Sequence, residues 1–204
     1  NNAINNVGTI GADIYYGVNV IGDNNTFVNK GDGIVKNFLS TRGSGNTIRN
    51  FGQIYTIGFV GTGIIVNESG ARIEGEHPSN GGHKISVGTP LGADYVNTTV
   101  EIHNYGTIKG LDAEGSSYIL YTAGFDKITW YNHESSKIIR TNNLFCFQQK
   151  GNDSSLLSEK RGGCDINSIM QIIPYCKETN RQQSKSTTVY FGVEMEKELL
   201  HMAS

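Results

Sequence analysis

The phrase I-x-N-x-G-x-I occurs three times, as INNVGTI at Ile4–Ile10, IRNFGQI at Ile48–Ile54 and IHNYGTI at Ile102–Ile108. In an extended chain alternate residues point the same way, so Ile48, Asn50, Gly52 and Ile54 share one face while Arg49, Phe51 and Gln53 take the other. The two Ile can enter a core. Asn tolerates a left-handed backbone and Gly adopts it freely, so N-x-G is expected to bend the chain between two short strands. The phrase is therefore a corner.

Looser copies fill the gaps. Ile65–Ile73 reads IVNESGARI, Ile128–Ile138 reads ITWYNHESSKI and Val28–Ile34 reads VNKGDGI. The corner residues are then Asn6 and Gly8, Asn29, Asn50 and Gly52, Asn67, Asn104 and Gly106, and Asn132. Successive Asn are 23, 21, 17, 37 and 28 residues apart, in the range where self-similarity signals a solenoid. The 37-residue gap is read as one coil carrying a loop.

A coil of this length cannot bury its apolar side alone and must stack on a neighbour through parallel strand pairing. The expected fold is all-β, a right-handed parallel β-helix. Stacking also gives the Asn a role, because its amide can bond the backbone or amide of the next coil and satisfy polar groups in a narrow interior. GDGIVKN (31–37) and GTGIIVN (61–67) fit as companion strands, with Gly pairs turning the chain. Tyr15, Tyr16, Phe51, Phe59, Tyr105, Tyr118, Tyr121 and Phe125 are expected to stack in columns. An antiparallel sandwich would need hairpins but no recurring Asn.

Composition divides the chain in two. Of 26 Gly, 22 precede Thr141, whereas Cys146, Cys164, Cys176 and all three Met follow it. The expected domains are a β-helix over 1–141 and an irregular tail over 142–204, with VEMEKELLHMAS at its end as a short helix. The tail is read either as a cap of unrelated sequence or as out-of-frame sequence that changes residue usage abruptly.

The phrases INNVGTIG (4–11) and IHNYGTIKG (102–110) resemble those of the passenger regions of Gram-negative autotransporters, β-helices that repeat I-x-N-x-G-T-I-x-G; IRNFGQI departs only at Gln53. The likeness covers about residues 1–141. It implies export, display at the cell surface or secretion, and a β-barrel translocator that these residues do not supply. The start, NNAINN, shows neither Met nor a leader, so a mature product or internal piece is expected. Sequons at Asn24, Asn67 and Asn97 would matter only in a eukaryotic secretory route, which the resemblance argues against.

Function is narrowed mostly by elimination. Seventeen Lys+Arg against nineteen Asp+Glu, without a long block of either sign, give no footprint for nucleic acid or a membrane surface. No G-x-G-x-x-G or G-K-[ST] supports nucleotide binding. No cofactor, metal or catalytic residue is assigned. Asp13, Asp23, Asp32, Asp94, Asp112 and Asp126 are scattered singly, although β-helix lyases and hydrolases need clustered carboxylates. Glu76, His77 and His83 frame a polar loop, His103 and His133 flank corner Asn on the outer face, and Asp112 with Glu114 occurs once, unlike a Ca²⁺ roll. The three Cys form neither a C-x-x-C nor an even framework.

What remains is a surface. Ridged parallel faces suit extended ligands, so the expectation is a structural and adhesive module that meets a glycan, a host or matrix protein, or another copy of itself. The competing readings are a polysaccharide-cleaving β-helix and an inactive truncated remnant.

Overall fold

A computed structural model describes residues 1–11, 17–75, 83–88, 96–110, 118–133 and 136–139, and the strand paths over 143–148, 154–155, 168–177 and 184–192. All regular structure among the described residues is strand. Six coils follow one another. The first holds β1 (Ala3–Asn6), β2 (Thr9–Ile10) and β3 (Val18–Ile21). The second opens with β4 (Thr26–Asn29) and continues into β5 (Ile34–Asn50), which bends to close that coil and open the third. β6 (Gln53–Asn67) does the same for the third and fourth, and β7 (Arg72–Ile73) and β8 (Ile85–Val87) complete the fourth. The fifth comprises β9 (Thr99–Asn104), β10 (Thr107–Lys109) and β11 (Tyr118–Ala123). The sixth comprises β12 (Lys127–Asn132), β13 (Lys137–Ile139) and β14 (Asn143–Gln148).

Each coil offers three strand stations, and each station pairs in parallel with the same station of the next coil. One column runs β1, β4, β5, β6, β9, β12. A second runs β2, β5, β6, β7, β10, β13. The third runs β3, β5, β6, β8, β11, β14. This is a large parallel sheet wound as a solenoid, consistent with a parallel β-helix. The parallel pairing of β14 on β11 reaches Gln148, while Thr141 itself lies outside the described residues.

Strand direction then reverses. β15 (Ser154–Ser155) pairs antiparallel with β14, β16 (Ser168–Lys177) with β12, and β17 (Ser184–Gly192) with β16. The described part of the tail thus lies along the edge of the sixth coil. The segment expected to end in a short helix, 193–204, lies outside the described residues.

The core is columnar. Phe27, Ile48, Ile65, Ile102 and Trp130 occupy one inward row and Val35, Ile54, Ile73 and Ile108 another, all at most 2% exposed. Full burial of each such side chain supplies roughly 1.5–3 kcal/mol, so these rows drive collapse. They exclude a one-residue slip, which would turn them outward, but not a two-residue slip, because apolar contact is nondirectional.

The corner Asn fix the register. Asn6, Asn29, Asn50, Asn67, Asn104 and Asn132 occupy one register position. Each Nδ2 donates to the Oδ1 of the next, at 2.8, 2.9, 2.9, 2.9 and 2.8 Å. The first four also donate to a carbonyl of the next coil, at Ile34, Gln53, Arg72 and Thr107. A two-residue slip would keep every row facing inward but shift each amide by roughly 6–7 Å, out of reach of the next, and break the whole Asn row.

The corner conformation differs from the expected left-handed bend. Among the described non-Gly residues, positive φ occurs at Asn24 (54°) and Asn37 (70°), not at any corner Asn, and Gly8, Gly52 and Gly106 are not left-handed either. Glycine is required there for clearance. A Cβ on Gly52 would sit 2.2 Å from the Gly33 carbonyl oxygen and 2.5 Å from that of Lys30; on Gly106 it would sit 2.4 and 2.5 Å from those of Ala71 and Glu68. Left-handed glycines serve a different bend, between the third station and the next coil's first, where Gly22, Gly43 and Gly61 stack at φ 109°, 134° and 110°.

Those contacts reveal two corner types in strict alternation. Coils one, three and five turn in two residues, Val7-Gly8, Phe51-Gly52 and Tyr105-Gly106. Coils two, four and six turn in four, closed by Gly33 N to Lys30 O (2.8 Å), Ala71 N to Glu68 O (3.0 Å) and Ser136 N to His133 O (2.8 Å). Each later short corner nests against the carbonyls of the long corner before it.

Candidate binding surface

Because Asn104 and Asn132 point inward, their chain neighbours point out. In the fifth coil these are His103 and Tyr105, in the sixth Tyr131 and His133. The register pairs His103 with Tyr131, so the triplets HNY and YNH place histidine against tyrosine on both sides of the corner. His103 stacks on Tyr131 with centroids 4.6 Å apart and planes 13° apart, and Tyr105 stacks on His133 at 3.7 Å and 7°. Coil spacing of about 4.8 Å is what makes such stacking automatic once the register is set. All four residues are half-buried.

Polar contacts cross this tile. His103 Nδ1 and His133 Nε2 are 3.4 Å apart, and the other nitrogen of His103 lies 3.5 Å from Glu101 Oε2. Two ring nitrogens at that distance share one proton comfortably and two poorly. Burial first, and the neighbouring His103 second, hold His133 below the ordinary histidine value. At neutral pH the His133 ring is therefore uncharged where it stacks on Tyr105.

The same outer row carries charge two coils away. The Arg49 guanidinium lies 5.2 Å over the Phe51 ring and pairs with Glu68, with side chains 53% and 18% exposed. An ion pair this open to solvent stabilises by at most about 1 kcal/mol and contributes mainly shape. Phe51 and Tyr105 share the outer row but are separated by Glu68, and Phe59 and Phe125 are buried, so the aromatics expected in columns are split between core and surface. Tyr15 and Tyr16 lie outside the described residues.

His83 forms a second aromatic group, stacked on Tyr121 at 4.6 Å and 5° and tilted against Tyr118 at 5.2 Å. Its Nδ1 is buried without a hydrogen-bond partner, and burial, then the charge of Lys84, push its pKa down. Lys84 is itself buried and donates to the Gly75 carbonyl.

The remaining candidates are distributed. Asp23 and Asp126 accept the backbone N–H of Ser44 and Thr98, both at 2.7 Å, in turns that join adjacent coils. Asp32 is exposed. Glu76 and His77, together with Asp13, Asp94, Asp112 and Glu114, lie outside the described residues. Among the described residues no three His, Cys, Asp or Glu gather as a metal-holding group, and no helix is long and apolar enough to cross a membrane.

The six corner Asn form a single internal row, with Gly8, Gly52 and Gly106 at alternate corners beside it. They build the surface without forming part of it. Neither His103 nor His133 signals the tile when taken singly; the mirrored triplets HNY and YNH are the one mark it leaves in the sequence. Compared with protein-family models, with curated protein sequences and with solved structures, the chain has no match in any of the three. The likeness to autotransporter passengers accordingly rests on the corner phrases alone.

Proposed function

We propose that the chain is a surface-exposed structural and adhesive module, a right-handed parallel β-helix of the kind autotransporter passengers display, which mediates attachment or self-association. The right-handed sense follows the strong preference of parallel crossovers. Location at the outer membrane surface or in the medium, and a β-barrel translocator as partner, follow from the same resemblance.

The observation that carries the reading is the His103, Tyr105, Tyr131, His133 tile. It is a ridged, hydrogen-bonding surface of stacked rings held by two coils whose register is fixed from inside. Rigid aromatic groups of this kind contribute contact area at small entropic cost on binding.

The test is binding of the purified chain to arrayed glycans and immobilised matrix proteins, with light scattering to follow self-association. The expected result is binding or association that Tyr105→Ser with His133→Ser weakens at least tenfold while circular dichroism stays unchanged. A chain that shortens polysaccharides would replace this reading with an enzymatic one. A folded chain with neither ligand nor self-association would make it an inert remnant.

A further inference from the structure

We infer that His103 Nδ1 and His133 Nε2 form a two-nitrogen site for a zinc ion on the outer face of the fifth and sixth coils. Such a site is independent of whether the tile binds a ligand.

The separation of the two nitrogens is the first support. They lie 3.4 Å apart. Two nitrogens held by one tetrahedral Zn²⁺ at roughly 2.0–2.1 Å each stand about 3.3–3.4 Å apart, because the angle at the metal is about 109°. An ion with right angles at the metal would hold the pair at about 3 Å. The observed separation also lies beyond the roughly 2.7–3.2 Å usual for a hydrogen bond from N–H, so the two rings are not locked onto each other. Their planes are 15° apart. A turn about χ2, a soft torsion in histidine, aims both lone pairs at one point.

The backbone beneath is the second support. Asn104 Nδ2 donates to Asn132 Oδ1 at 2.8 Å, and the His133 N–H donates to the Asn104 carbonyl at 2.9 Å. The residue after His103 and the residue before His133 are thereby tied together. Two ligands 30 residues apart in sequence are thus brought side by side before any metal arrives, which removes most of the ordering cost of chelation.

A carboxylate behind one ring is the third. His103 Nε2 faces Glu101 Oε2 at 3.5 Å. A neutral His103 that donates from Nε2 to this carboxylate keeps its lone pair at Nδ1, the arrangement that orients ligating histidines in metal sites. The side chains of His103 and Glu101 are 24% and 50% exposed, so an ion reaches the pair from solvent.

The ligands choose the ion. Imidazole suits zinc, whereas Mg²⁺ and Ca²⁺ take oxygen. Among the described residues no third His, Cys, Asp or Glu completes the set. The zinc therefore keeps two further positions, filled by water and open to exchange, unlike a closed structural centre.

The test uses the full chain with Cys146→Ser, Cys164→Ser and Cys176→Ser, which remove competing thiolates. It is titrated with ZnCl₂ at pH 7.5 while NMR of the imidazole nitrogens follows each histidine. His103 Nδ1 and His133 Nε2 should shift together and saturate at one ion per chain, and MgCl₂ should move neither. By calorimetry, His103→Gln and His133→Gln should each weaken zinc binding about tenfold or more with circular dichroism unchanged, and His77→Gln should not weaken it. Should either variant fail to fold, the paired shifts in the parent decide alone. Zinc that moves neither nitrogen or only one of them, an equal response to MgCl₂, or binding that survives both substitutions in a folded chain would overturn the inference.

Discussion

Asn50 donates from Nδ2 to Asn67 Oδ1 at 2.9 Å while its own Oδ1 accepts from Asn29 Nδ2 at 2.9 Å, all three side chains being fully buried. Its second hydrogen goes to the Arg72 carbonyl at 3.0 Å. Asn50→Ala deprives two donors, Asn29 Nδ2 and the Gly52 N–H, and two acceptors of their partner, and stability should fall by about 2–4 kcal/mol. Chemical denaturation measures this; a loss below about 1 kcal/mol would mean that water enters the row and repairs it.

Asn50→Asp separates hydrogen bonding from shape. A carboxylate cannot donate to Asn67 or to the Arg72 carbonyl, so the folded state should hold this group protonated well above the ordinary aspartate value. A raised folded value means that stability is present below the unfolded pKa and lost as pH rises through the folded one. The variant should therefore gain stability relative to the parent on acidification. A parallel pH profile for the two proteins would contradict that.

The corner glycines should respond differently to one substitution. Gly52→Ala and Gly106→Ala press a methyl group onto backbone carbonyls less than 3 Å away, at a cost of about 1–3 kcal/mol, whereas Gly8→Ala should be close to neutral. Three melting curves settle it. Equal losses at all three positions would show that the constraint is a shared backbone conformation rather than clearance.

Thr56 and Thr41 carry buried hydroxyls without a hydrogen-bond partner, at 0% and 2% exposure. Valine keeps the shape and removes the polar atom. Thr56→Val should stabilise by about 1 kcal/mol, visible as a higher denaturation midpoint with unchanged slope. A destabilised variant would point to a water molecule bound at the hydroxyl.

Acidification should weaken the parent fold. Burial first, then Lys84, lowers the pKa of His83, and burial with His103 lowers that of His133, from the ordinary 6.5. The unfolded chain then takes up these protons first, so the contribution is complete above about pH 6.5 and is lost as pH falls through the depressed folded values. Tm should drop between pH 7.5 and pH 5, and His83→Leu should flatten that dependence. No change in Tm across the interval would refute it.

The solenoid is legible because its two strongest constraints fall on side chains. The inward Ile row and the Asn row both require particular residues at fixed phase, so Ile48, Asn50 and Ile54 reveal the buried face. The alternation of corners is not legible. KGDG (30–33) and ESGA (68–71) share a turn but no letter at the same place, because backbone carbonyls define that corner and many side chains tolerate it. Glycine at the short corners suggests left-handedness, when its cause is the nearness of another coil's backbone. The tile depends on register, which joins residues 28 apart and leaves its mark only as mirrored letters.

The alternation of corners also sets the grain of the molecule. Removing or copying a single coil would place two corners of one kind against each other, either two glycine corners with nothing to fill the gap or two wide turns competing for it. Removing or copying adjacent coils as a couple preserves every junction. A stack of this kind can lengthen or shorten without a mismatched junction only in even steps, so its structural module is the two-coil couplet.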